Sequence, residues 1–198
     1  MSSQPDRKLT PRGRERRRQL IDFATRRFSE SGYHPTSVAE IVTGLGVGKG
    51  VFYWYFDSKE QLFIELLREA QRDLRRTQRD AIADEPDPVR RIEIGVRAAF
   101  RFWAAHPEIV NLLQFAATEE AFAPAIRRGQ EVALADAVVH IKEGIAEGRI
   151  RDADPEALAH AVIGITGHLA RELLHGRGDD ADEVADLAVA ILFRGIEG

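Results

Sequence analysis

The sequence predicts an all-α protein, with an N-terminal helix-turn-helix domain followed by a larger helical domain. Apolar residues recur at three-and-four spacing from Leu20 almost to the C-terminus, as on the buried face of a helix. Capping boxes and first-turn prolines mark successive helix starts. With 198 residues, 44% of them hydrophobic and 30% charged, the chain is long and apolar enough to bury a core.

Basic residues are concentrated near the N-terminus. Residues 1–60 carry 11 basic and 7 acidic side chains, whereas the remaining residues carry 17 and 25. Seven basic residues and one acidic residue lie between Arg7 and Arg18. By itself such a run is equally typical of a solvated tail, but its place directly before an amphipathic helix favours contact with a polyanion. Residues 1–16 are therefore predicted to form a basic N-terminal arm.

The composition also predicts the cellular environment. The absence of cysteine excludes disulfides and thiolate metal sites and suits a reducing cytoplasm. The longest uncharged stretches, such as the ten residues 161–170, fall short of the roughly 20 residues that span a bilayer. The first residues lack the apolar core of a secretion signal. We therefore expect a cytoplasmic protein with no membrane partner.

Two short helices near the N-terminus carry the strongest local signal. Ser37 and Glu40 form a capping box at the start of one helix, with Thr36 as an alternative cap. Gly44 and Gly46 interrupt that helix within three turns, and the next is predicted over about residues 47–55. Two short helices joined by a glycine-bearing turn form a helix-turn-helix.

Longer amphipathic helices flank this unit. The first covers about residues 11–31 and ends at Gly32, and the fourth begins with a capping box at Ser58 and extends to about residue 83. Their apolar stripes are Leu20, Ile21, Ala24 and Phe28 in the first helix, and Leu62, Phe63, Leu66 and Leu67 in the fourth.

The segment 46–56 combines glycines, a lysine and five aromatic residues. In a helix-turn-helix the second helix lies in the major groove, so one face contacts DNA and the other packs on the core. Positions 47, 51, 52 and 56 are predicted to face inward, and positions 49, 50, 53 and 55 outward. Gly48 and Gly50 then allow the backbone to approach DNA, while Lys49 and the hydroxyls of Tyr53 and Tyr55 face phosphates. Lys59 lies in a first helical turn, where free amides favour an anion.

Other interpretations of the glycines fit less well. A P-loop requires four residues between its glycines and a hydroxyl residue after the lysine, whereas three residues separate Gly44 from Gly48, and Gly50 follows Lys49. The spacing also differs from that of a dinucleotide-binding motif, and no strand precedes it. A short core helix with glycines for tight packing remains an alternative.

Residues 17–67 resemble the DNA-binding domain of the tetracycline-repressor (TetR) family. The resemblance rests on the segments LIDFATRRFSESGY, TSVAEIVTGLGVGKG and VFYWYFDSKEQLF. It implies a homodimeric transcriptional regulator, usually a repressor, that leaves double-stranded operator DNA when a small-molecule inducer binds the C-terminal domain. The domains are then a helix-turn-helix domain at 17–62 and a ligand-binding and dimerisation domain at 63–198.

The resemblance also implies which residues contact DNA. Two positions depart from the family pattern: Gly48 stands where a polar residue is common, and Val51 where threonine is common, although Val51 can still contact a thymine methyl group. The implied DNA contacts are Thr36, Ser37, Lys49, Gly50, Val51, Tyr53, Tyr55 and Lys59.

Beyond residue 83, helices are predicted at about 88–105, 107–117, 123–147, 155–175 and 181–196. The last two resemble the family's dimer interface, a four-helix bundle made with the same pair from the partner. Its expected residues are Ala157, Ala161, Gly164, Leu187, Ala188, Ile191 and Leu192.

The inducer is not identified by the sequence. A mostly apolar cavity could be lined by Phe100, Trp103, Phe115, Phe122, His140 and His168. For each of these residues taken alone, plain core packing is the favoured interpretation. A constitutive helix-turn-helix DNA binder without an inducer therefore remains the alternative function.

The sequence does not favour an enzyme or a metal site. Glu172 and His175 are spaced like one half of a di-iron motif, but such sites need two pairs and two further glutamates. His160, His168 and His175 are predicted along one side of a helix, where a polar stripe or a buried histidine is more typical than a ligand set. We expect no catalytic residue, no metal and no cofactor.

Overall fold

The computed structural model describes residues 9–194, and all regular structure in that range is helical. The predicted all-α class is thus confirmed. A 3₁₀ turn, Glu120–Phe122, precedes the seventh α-helix, and a π-helix, Ala170–Arg177, follows the eighth. The α-helices are α1 (Pro11–Ser31), α2 (Val38–Gly44), α3 (Lys49–Tyr55), α4 (Lys59–Ala81), α5 (Pro88–Ala105), α6 (Pro107–Thr118), α7 (Ala123–Ala146), α8 (Pro155–Leu169) and α9 (Ala181–Arg194).

The chain divides into two compact units between Leu66 and Leu67. The predicted boundary, after residue 62, lies four residues earlier within the same helix. Phe63 and Leu66 are buried, and the ring of Phe63 packs edge-on against Phe28 of α1, with 5.5 Å between centroids. The first turns of α4 therefore belong to the core of the N-terminal unit.

Most helix ends follow their local capping signals. The Thr10 hydroxyl accepts a 3.1 Å hydrogen bond from the Gly13 amide, so α1 begins at Pro11 and includes residues 11–16 of the predicted arm. Gly32 ends α1 with a φ of 86°, which favours glycine. Residues 1–8 of the arm, as well as 195 and 196 of the last predicted helix, lie outside the described residues.

The predicted helix over 155–175 is only partly α-helical. It is α-helical to Leu169 and continues as the π-helix. This change of register separates the three histidines that were predicted to share one side. His160 and His168 are exposed, whereas Nε2 of His175 is buried.

Two apolar clusters lie among the described residues of the second unit. One is built around Val96 and Phe100 of α5, Ala170 and Leu174 of the π-helix, and Ala185 of α9. The other surrounds Ile92 of α5, Ile141 of α7 and Ala159 of α8.

No helix among residues 9–194 has the length and hydropathy needed to cross a membrane. The same residues contain no group of three or more histidine, aspartate or glutamate side chains placed to hold a metal ion.

Candidate nucleic-acid interface

The turn between α2 and α3 has the geometry of a helix-turn-helix. The Ser37 hydroxyl caps α2 by accepting a 3.1 Å hydrogen bond from the Glu40 amide. Gly46 has a φ of 64°, a conformation that costs little only for glycine. The Val47 amide then donates to the Val42 carbonyl at 2.9 Å. These bonds reverse the chain and start α3 at Lys49.

The α3 helix has one buried face and one exposed face. Phe52 and Phe56 are 0% and 2% exposed, whereas Tyr53 and Trp54 are 52% and 48% exposed. Lys49 and Gly50 are exposed beside them. The predicted inward orientation of positions 52 and 56 and outward orientation of 49, 50 and 53 are confirmed.

Two aromatic residues of α3 differ from the sequence prediction. Tyr55, expected to face outward, is half-buried, and its ring packs edge-on against Trp54 at 4.5 Å between centroids. Trp54 was not predicted to contact DNA, yet it is nearly as exposed as Tyr53. The helical spacing contains the missed signal, because Trp54 lies four residues after Gly50 and residues four apart share a helix face.

The fold itself does not require glycine at positions 48 and 50. A Cβ atom added at either position would meet no atom within 4 Å, and neither residue has a positive φ. This excludes the alternative that these glycines serve tight internal packing. Inside a helix, glycine costs about 0.5–1 kcal/mol of stability relative to alanine. Gly50 therefore lowers the stability of α3 and leaves its exposed face without a side chain at this position.

Two residues that were predicted to contact DNA instead form hydrogen bonds within the protein. Thr36 is 0% exposed, and its hydroxyl donates to the Gly32 carbonyl at 2.8 Å. The ammonium of Lys59 donates to the carbonyl oxygens of Tyr33 at 2.8 Å and Thr36 at 2.9 Å, and it lies 4.2 Å from the centroid of the Tyr33 ring. Partial burial lowers the pKa of Lys59. Both residues hold the loop between α1 and α2 in this conformation.

Ion pairs fix α1 against its neighbours. Arg27 of α1 bonds to Glu40 of α2 through Nε at 2.9 Å and also through Nη2, and this hydrogen bonding lowers the pKa of Glu40. Arg17 forms a 2.7 Å ion pair with Glu65 of α4. Hence at least these two arginines of α1 position helices, while Arg12 and Arg18 lie on its exposed surface.

The predicted ligand residues are distributed over several parts of the second unit. Phe100 is buried with Trp103 packed against its cluster, and Phe115 lies 6.2 Å from Phe122 between ring centroids. His140 has a buried Nδ1 atom without a hydrogen-bond partner among the described residues. His168 is exposed, and its Nδ1 lies 2.7 Å from a guanidinium nitrogen of Arg171. His168 therefore does not line the protomer interior.

The predicted dimer residues fall into two groups. Ala157, Ala161 and Gly164 are exposed along one face of α8, and Leu187 of α9 is 44% exposed. Ala188, by contrast, is fully buried in the protomer's own core. Residues 191 and 192 are half-buried, and the second of them packs against that same core. Of the four residues that α9 was predicted to contribute to a dimer interface, only Leu187 is therefore clearly exposed on the protomer.

Together, the turn geometry and the exposed face of α3 define a helix-turn-helix DNA-binding protein. Residues 20–66 match the family model for bacterial regulatory proteins of the tetR family. The chain is 29% identical over 187 residues to the transcriptional repressor KstR2 of Mycobacterium tuberculosis, covering 91% of this chain and 92% of that protein. These similarities support a transcriptional regulator of the TetR family.

Two further comparisons cover almost the whole length. The HTH-type transcriptional regulator YdgC of Bacillus subtilis is 27% identical over 195 residues, covering 93% of this chain and 95% of that protein. The crystal structure of the transcriptional regulator FadR from Bacillus subtilis in complex with stearoyl-CoA superposes with a TM-score of 0.81 at 22% identity, covering 91% of this chain and 99% of that chain. The second similarity establishes a shared fold.

Proposed function

We propose that the protein is a homodimeric repressor that binds a palindromic operator and is released when a small apolar molecule binds within residues 67–194. The observation that carries the DNA-binding part is the exposed face formed by Lys49, Gly50, Tyr53 and Trp54, opposite the buried face of the same helix. A helix of this kind enters the major groove with its N-terminal residues nearest the bases.

The residues of this face have different chemical roles. Lys49 supplies a positive charge, and the Tyr53 hydroxyl can donate to a phosphate oxygen. Gly50 leaves space for close approach of the DNA, and Val51 offers an apolar contact for a thymine methyl group. Ser37, exposed at the start of α2, is placed to meet the phosphate backbone. Thr36 and Lys59 act indirectly by positioning α2.

A dimer is supported by the exposed small residues of α8. Ala157, Ala161 and Gly164 recur at four- and three-residue spacing, which lets a second helix approach closely. Leu187 adds an exposed apolar side chain on α9. Two-fold symmetry of the protein then requires a two-fold symmetric operator.

Ligand release is supported by the shared fold with FadR, whose solved structure contains stearoyl-CoA. The apolar cluster around Phe100 and Trp103 is chemically suited to an acyl chain. Long-chain acyl compounds are therefore the first class to test. A constitutive DNA binder without an inducer is the competing function.

The proposal is tested by selecting bound sequences from random DNA duplexes with the purified protein. We expect a palindromic consensus whose affinity falls steeply with salt, because phosphate contacts release counterions. Acyl compounds that bind the native protein should raise its melting temperature by mass action. Under the proposed release mechanism, the same compounds should also lower operator affinity. Ligands that bind without changing operator affinity would favour the constitutive binder. The absence of a symmetric consensus would contradict the homodimer.

A further inference from the structure

The π-helix Ala170–Arg177 changes which residues of this segment face the core. π-helices are rare, and they occur frequently at functional sites. Their hydrogen bonds join residues five apart, so such residues lie nearly above one another, whereas in an α-helix they are rotated by about 140°. Ala170 and His175 are five apart. The π geometry therefore places His175 on the same face as Ala170.

That face belongs to the apolar interior of the second unit. Ala170 and Leu174 are 3% and 8% exposed, in one cluster with Phe100, and Trp103 packs against this cluster. Nε2 of His175 is buried, and no hydrogen-bond partner for it is found within residues 9–194. Burial lowers the pKa of His175 and so favours its neutral imidazole.

A buried polar atom without a partner destabilises the fold, and each such atom in a native structure calls for an explanation. An α-helical register would have turned the side chain away from this face. The segment instead adopts an uncommon helix in which His175 is half-buried and its Nε2 atom is buried.

We propose that His175 is the polar anchor of the ligand site, and that its Nε2 atom hydrogen-bonds a polar group at the end of an apolar chain. A single neutral nitrogen on the same helix face as the buried Ala170 fits a carbonyl, carboxyl or hydroxyl group at one end of an apolar body. This inference rests on the proposed ligand-released function and adds a specific contact to it.

The experiment uses stearic acid and stearoyl-CoA as probes on the full-length protein. His175→Phe removes the hydrogen bond and keeps an aromatic ring, His175→Gln keeps a hydrogen-bonding group, and Glu172→Gln changes an exposed neighbour on the same π-helix. Probe affinity is measured by calorimetry and operator affinity by fluorescence anisotropy, with circular dichroism and sedimentation verifying fold and assembly.

We expect the His175→Phe variant to bind the probes about tenfold more weakly, as for the loss of one buried hydrogen bond. The His175→Gln variant should retain most of the wild-type affinity, and Glu172→Gln should have no effect. If the His175→Phe variant misfolds, His175→Leu takes its place, because leucine also lacks a hydrogen-bonding group and the same tenfold loss is expected.

Each other outcome has a distinct meaning. Equal probe affinity in wild type and the His175→Phe variant would overturn the anchor while leaving the ligand-released repressor intact. Failure of both probes to bind the wild type would also overturn it, as would loss of the dimer in His175→Phe, which would make His175 an interface residue. Binding that depends on His175 but leaves operator affinity unchanged would support the anchor and contradict ligand release.

Discussion

The ammonium of Lys59, in the first turn of α4, donates a 2.9 Å hydrogen bond to the carbonyl oxygen of Thr36, directly before the cap of α2. A second bond, of 2.8 Å, goes to the Tyr33 carbonyl. One side chain therefore ties the start of α4 to the loop that orients α2. In this conformation the Lys59 ammonium binds carbonyl groups of the protein itself.

Lys59→Met should consequently destabilise the protein. Hydrogen bonds from a charged donor contribute about 1.5–3 kcal/mol each, and methionine keeps the apolar stem while removing these bonds. We expect the free energy of unfolding to fall by about 1–3 kcal/mol, less than the two bonds added together, because Lys59 is only partly buried and water replaces part of the lost bonding. Urea denaturation measures this change. An unchanged stability together with a lower salt dependence of operator binding would restore Lys59 as a direct phosphate contact.

Lys49→Ala should behave in the opposite way. Lys49 lies on the exposed face of α3, so its removal should leave stability nearly unchanged. Operator affinity should fall, and the slope of log affinity against log salt should decrease by about one unit if the ammonium meets a phosphate. A change in the preferred operator sequence would instead indicate a base contact. Salt titrations on the wild type and both lysine variants separate these results.

Gly50→Ala is expected to separate stability from function. Nothing lies within 4 Å of a Cβ at this position, so alanine should stabilise α3 by about 0.5–1 kcal/mol. The same methyl group should weaken operator binding if the backbone approaches the DNA closely. Thermal unfolding and anisotropy titrations measure the two effects. Wild-type affinity in the more stable variant would mean that the face around Gly50 stays clear of the groove.

Leu187→Glu should split the dimer and abolish specific operator binding together. Leu187 is exposed on α9, and a buried carboxylate at an interface is strongly unfavourable. Val139→Glu is the matched control, because Val139 is 52% exposed on α7 and lies outside the predicted interface. Sedimentation velocity at micromolar concentration distinguishes the species. A dimeric Leu187→Glu protein would remove α9 from the proposed interface.

The stability of the second unit should depend on pH through two histidines. Burial lowers the pKa of both His140 and His175; for His140, Arg91 lowers it further, whereas Glu143 and Asp136 oppose the shift. Below the ordinary value of about 6.5 the unfolded chain binds more protons than the folded one. The free energy of unfolding should therefore fall as the pH drops below about 6.5 and stay flat above it.

Denaturation between about pH 5.5 and 7.5 tests this dependence, because ordinary carboxyl groups titrate at lower pH. His140→Leu should flatten the slope. A slope unchanged by His140→Leu would show that His140 titrates normally.

Much of the fold could be predicted from local chemistry. The capping residues Ser37 and Ser58 act directly on neighbouring amides, so their effect needs no distant partner. The spacing of Phe52 and Phe56 predicted their burial because helical periodicity decides which residues share a face. The segment from Gly44 to Lys59 likewise identified a helix-turn-helix, since glycine turns and short helices are encoded within a few residues.

Tertiary structure decided the roles that depend on contacts distant in sequence. The backbone carbonyls that accept hydrogen bonds from Lys59 lie more than 20 residues before it, and no local sequence pattern predicts them. Ala188 was expected at an interface, but α5 and the π-helix cover it. The register change that turns His175 inward likewise depends on how its segment packs. Periodicity in the sequence defines the faces of each helix, whereas only three-dimensional packing determines what each face meets.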